Sequence, residues 1–314
     1  MGTGFDFKDK HALTLANYCF DDAEAPIQYQ EQTFEPLFPA QNVLDPRPGR
    51  FARTTATLAT EKTLVFRLGA IAENLTTFIP TSLVLMNMRP RMAGPDGFAS
   101  LGTFQFRVDT GDGWTGPWVE LVPWTDWWIV DGGDVFIDLN EAGLYPVRRR
   151  YWRLRMRVSA SADIEAAQWG SVLVGKHYLP ERNPRERMPI DFDDLNVRRG
   201  RPGGGVVVHK SHNPNRLLRA SCFVNSVVEA QRLERLLRGE NVGLAPHWGT
   251  YDERLNWIHA WVRPDQWKGA VGSFAAGELA KPVLGHIEKA RLTVIRYHQW
   301  QLDFAFREIA GELE

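Results

Sequence analysis

Five tryptophans fall within the stretch GWTGPWVELVPWTDWWIVDGG at Gly113–Gly133: Trp114, Trp118, Trp124, Trp127 and Trp128. An indole face stacks on the C–H face of a sugar, and Asp126, Asp131 or Asp134 would hold the hydroxyls. The same ring also packs cores and subunit contacts, where buried aromatics are the general rule. Trp114, Trp118, Trp127 and Trp128 are the candidate glycan face, weighed against that structural role. Trp257 and Trp261 form a second short cluster among the twelve tryptophans of the chain.

The other residues that could do chemistry lack partners in sequence. The turn Asp109-Thr110-Gly111-Asp112-Gly113 supplies two carboxylates, whereas a calcium loop needs about six to eight oxygens. His209 and His212 stand beside a strand end with no Cys or carboxylate next to them, short of a zinc set. Ser171 and Ser211 lack a GxSxG elbow. Cys19 and Cys222 lack any local signature and read as reduced, buried small hydrophobes. Gly203-Gly204-Gly205 precedes a strand rather than a helix, so it makes no phosphate cradle. No metal, no cofactor and no enzymatic activity are expected. Paired carboxylates for glycoside hydrolysis are a spatial matter, so a cell-wall glycoside hydrolase stays as the least favoured alternative.

These residues lie on elements whose period is two. In Tyr151–Val158 the apolar Trp152, Leu154, Met156 and Val158 alternate with Arg153, Arg155 and Arg157, which no helical stripe does. Together with Arg148-Arg149-Arg150, the arginine face is expected to meet carboxylates of a neighbouring subunit, with Arg153 and Arg155 as contacts. Short apolar runs at Thr63–Leu68, Ser82–Met86, Gly102–Val108, Asp134–Leu139 and Ser171–Val174, bounded by turn residues, predict a β-sandwich.

The stretch PERNPRERMPIDFDDLNVRRGRPGGG (180–205) holds four prolines and four glycines without hydrophobic period, and reads as a linker or arm. The expected division is a sandwich over 1–180, an arm over 181–205 and a second domain over 206–314, with residues 1–15 open to joining the second domain. That domain predicts strands at Val206–Lys210, Leu217–Val224 and Leu255–Val262. It also predicts a capped helix over Ser226–Arg238 and a closing hairpin over Arg291–Phe306. The fold class is mainly β, with an α+β second domain.

Composition narrows the function classes. The chain of 314 residues is 44% hydrophobic and 24% charged, with 37 basic and 38 acidic residues and a net charge of -1. That balance argues against nucleic acid as partner. The N-terminal MGTGFDFKDK lacks signal-peptide order, and no run approaches the roughly 20 apolar residues of a membrane span, so no membrane insertion is expected.

Two resemblances add to this reading. Phe38-Pro39-Ala40-Gln41-Asn42-Val43-Leu44-Asp45, Leu64–Gly69, Tyr151–Arg155 and Trp169–Gly175 resemble, in this order, the discoidin-type galactose-binding-like jelly roll. The helix between strand pairs and the final Trp300–Glu308 resemble the ring-forming domain of phage distal tail and baseplate proteins. The resemblances imply a virion structural protein of the tail tip, made in the host cytoplasm. It would form a ring with itself through Trp300, Arg307 and Glu308 and contact other tail or baseplate proteins. The sandwich would touch these or host-surface polysaccharide; a glycan-binding adhesion module is the alternative.

Overall fold

The computed structural model describes residues 12–14, 33–44, 51–68, 80–92, 102–128, 133–139, 149–160, 162–175, 177–178, 190–192, 197–200, 206–209, 216–224, 226–228, 230–231, 259–262, 279–297 and 299–308. The chain divides into two compact units. The first holds β1 (Ala12–Thr14), β2 (Ala52–Arg53), β3 (Lys62–Arg67), β4 (Ser82–Leu85), β5 (Arg89–Met92) and β6 (Thr103–Gly111). It continues with β7 (Trp118–Trp128), β8 (Val135–Asp138), β9 (Tyr151–Arg157), β10 (Ile164–Trp169), β11 (Val172–Gly175) and β12 (His177–Tyr178). The second holds β13 (Ile190–Phe192), β14 (Val197–Gly200), β15 (Val206–His209) and β16 (Arg216–Val224). After β17 (His259–Val262) and β18 (Leu279–Ala280), it resumes with β19 (Val283–Arg296) and β20 (Gln299–Glu308).

The first unit is a β-sandwich. One sheet runs β3-β9-β6-β7, a second runs β11-β4-β8-β18, and β2-β10-β5 make a third of three strands. A single hydrophobic core joins them: Phe66, Phe106 and Trp152 from the first, Leu83, Ile137, Val174 and Leu279 from the second, Ala52, Ala167 and Trp169 from the third. Each large apolar side chain so buried stabilises the fold by about 1.5–3 kcal/mol. The alternation of β9 is realised, with Trp152, Leu154 and Met156 buried and Tyr151, Arg153, Arg155 and Arg157 partly exposed on the outer face. Strands β4, β8 and β11 are buried at every position, which explains why they read as short continuous apolar runs.

The units divide the chain differently from the sequence expectation for 206–314. Strand β18 pairs with β8 through Leu279↔Ile137 and Ala280↔Phe136, so it belongs to the sandwich. Two residues are too few to carry any period, which is why the sequence hides it. Ala12 and Leu13 of β1 pair with Val262 and Trp261 of β17, and β12 flanks β1 on its other side.

In the second unit β19-β20-β16-β13 run side by side, all antiparallel. Strands β14 and β15 form a two-stranded ribbon. The expected helix has one described turn: Val227, Val228, Ala230 and Gln231 are helical, and Ala230 N–H donates to Ser226 O at 2.9 Å. Residues 232–238 lie outside the described residues, and no helix of seven residues stands among those described. The helix on which the α+β expectation rests thus falls mostly outside the described residues, and the described chain is mainly β.

Candidate functional site

The outer face of β3-β9-β6-β7 is built around one carboxylate. Register sets Asp109 of β6 beside Arg153 of β9 and Glu120 of β7, and Arg107 beside Arg155. Asp109 is fully buried beneath these side chains. Its Oδ2 accepts from Arg153 Nε at 3.0 Å and lies 3.1 Å from Arg155 Nε; its Oδ1 accepts from Arg107 Nε at 2.8 Å. Arg107 also pairs with Glu120 at 2.8 Å, and Arg155 with Glu61 at 3.1 Å. Removing a carboxylate from water is costly unless charge returns to it, and three guanidiniums do so here.

Arg153 and Arg155, the expected contacts with a neighbouring subunit, are engaged with Asp109 and Glu61 of their own unit. Asp109 is saturated by guanidiniums, and Asp112 faces Arg149 at 3.8 Å. Among the described residues no group of three or more His, Cys, Asp or Glu could hold a metal ion.

The tryptophans divide between two roles. Trp127 faces the core, 2% exposed, and its indole N–H donates to Asp134 O at 3.1 Å. It therefore leaves the candidate glycan set. Trp118 lies over Gly111, where an added Cβ would meet its ring at 3.1 Å, and Arg153 stands 4.8 Å from its ring centroid. Trp124 carries Arg157 at 4.0 Å and Arg155 at 5.3 Å. Trp114 meets Tyr151 edge-on at 5.1 Å. Trp114 and Trp118 share the β6–β7 end of the sheet, whereas the backbone of Trp128 pairs with Thr103 at the opposite end. The Trp128 side chain, Asp131, Trp257, Cys19, Ser211, His212 and Gly203–Gly205 lie outside the described residues. The structure thus joins cation–π pairs and aromatic packing where the sequence suggested a single stacking platform.

Two buried polar clusters have no sequence signature. His177 N–H donates to Thr81 Oγ1 at 3.1 Å, and Thr81 Oγ1 lies 3.0 Å from His177 Nδ1. His177 Nε2 stands 3.4 Å from Asp138 Oδ2, with both side chains buried. Residues 81, 138 and 177 are too far apart in sequence to suggest this tie. Lys62, on the core-facing side of β3, donates from Nζ to Thr57 O and, at 2.8 Å, to Thr57 Oγ1. Burial pushes its ammonium below the usual lysine range, and Glu165 partly offsets the shift. Ser171 is buried.

In the second unit, one face of the sheet is apolar. Leu218, Ala220, Cys222 and Val224 of β16 stand beside Phe306, Phe304, Leu302 and Trp300 of β20, which stand beside Ile287, Ala290, Leu292 and Val294 of β19. Leu302, Phe304 and Phe306 are buried, Trp300 is half-buried and Val294 is 67% exposed. The polar face carries Ser221, whose Oγ donates to Asp303 Oδ1, and Gln301, whose Nε2 donates to the same oxygen at 2.7 Å. Of the expected ring contacts, Trp300 lies at this open end. Arg307 and Glu308 lie at the other, opposite His286 and Gly285. Burial pushes the Cys222 thiol up to about 12, with the Asp303 charge adding to the shift.

At the tip of the β19–β20 hairpin, Val294, Ile295 and Tyr297 are all exposed, Tyr297 by 88%. The register against β20 shifts between Val294 and Arg296, which leaves Ile295 as an extra residue at the tip. Sequence periodicity marks the hairpin but not its exposure.

No family model matches the chain, and no curated protein matches it. Among solved structures, the chain is similar to CBM32-1 from a family 31 glycoside hydrolase of Clostridium perfringens. The match has 12% identity and a TM-score of 0.32, and covers 49% of this chain and 98% of that one.

Proposed function

We propose that this chain is an assembly protein of the distal-tail kind, a structural component of a phage tail tip or baseplate that binds copies of itself. The observation that carries the reading is the β19–β20 hairpin, whose apolar face continues past the buried Leu302 to the exposed Val294, Ile295 and Tyr297. An exposed apolar tip is costly in water and gains by being covered. A heterologous contact between such a tip and the next copy repeats around an axis until it closes, which yields a ring. The sandwich, with its own core and an internally satisfied arginine face, is then the part that projects toward other baseplate proteins or the host surface. Catalysis has no role in this reading, and the virion is where the protein acts.

A glycan-binding adhesion module is the second reading, favoured by the partly exposed Trp114 and Trp118 at one end of the sheet. Negative-stain microscopy and mass measurement of the full chain across a concentration series separate the two. Closed rings with a lumen support assembly. A strict monomer at every concentration overturns it and leaves the adhesion module.

A further inference from the structure

We draw no further inference here: the strongest candidate, the surface turn Glu35–Phe38 of the sandwich, closed by Phe38 N–H donating to Glu35 O at 2.9 Å and holding Leu37 84% exposed, presents one apolar side chain, and nothing in the structure shows what covers it.

Discussion

Arg153 donates from Nε to Asp109 Oδ2 at 3.0 Å across two neighbouring strands, and it is one of three arginines gathered on a carboxylate that solvent does not reach. Taking away the carboxylate strands three guanidiniums against one another, whereas taking away one arginine leaves two. Asp109→Asn is therefore expected to destabilise the sandwich by about 3–5 kcal/mol. Arg153→Ala should cost less, about 1–3 kcal/mol. Urea unfolding at neutral pH measures both. A loss under about 1 kcal/mol for Asp109→Asn would mean that the node contributes little.

Trp127 and Trp114 should part company on substitution. Trp127→Ala empties a core site beside Phe104 and removes the bond to Asp134 O, at an expected cost of about 3–5 kcal/mol. Trp114→Ala gives up an edge-on contact with Tyr151 at a partly exposed position, an expected loss of about 0.5–1.5 kcal/mol. Thermal unfolding of the two variants decides the matter. Equal losses would contradict the separation of core from surface made here.

The contrast between β9 and β7 shows what could be read from residue order. In β9 every second side chain is apolar, and burial follows that order from Trp152 to Met156. In β7 the register shifts twice against β6, so Leu121 and Val122 are buried in succession, and the two shifts together restore the alternation beyond them. Trp118 and Trp127 stand nine positions apart, an odd separation that sets them on opposite faces, and only their place in one Trp-rich stretch groups them in the sequence. The polar face of β9 was legible, but not its partner. Asp109 is buried by side chains from three strands, and residues 107, 120, 153 and 155 are brought together only by the fold. The tie of Thr81, Asp138 and His177 was hidden for the same reason.

Cys222 offers a pH dependence with a definite sign. Burial, and then the Asp303 charge, raise its thiol from 9.0 to about 12 in the folded chain. A folded state that holds its proton more tightly is stabilised below the unfolded value, and that contribution fades as pH rises from about 9 toward 12. Urea midpoints of the parent should fall across pH 9–11 more steeply than those of Cys222→Ala. In a Cys19→Ser background a thiol reagent at pH 8 should leave the folded chain unmodified and react once urea unfolds it. Parallel pH profiles for the parent and Cys222→Ala would count against this account.

The hairpin tip gives the sharpest division between folding and assembly. Val294 and Ile295 are exposed side chains on consecutive positions, so a charge at either meets water in the free chain. Val294→Asp and Ile295→Asp are expected to change stability by no more than about 0.5 kcal/mol. In a contact between copies the same carboxylates would be buried against apolar surface, where an unpaired charge is strongly unfavourable. Sedimentation velocity should therefore show each variant at lower mass than the parent at equal concentration, with unchanged thermal unfolding of the separated chain. If both variants assemble like the parent, the tip is not the contact, and the ring must be sought elsewhere on the second unit.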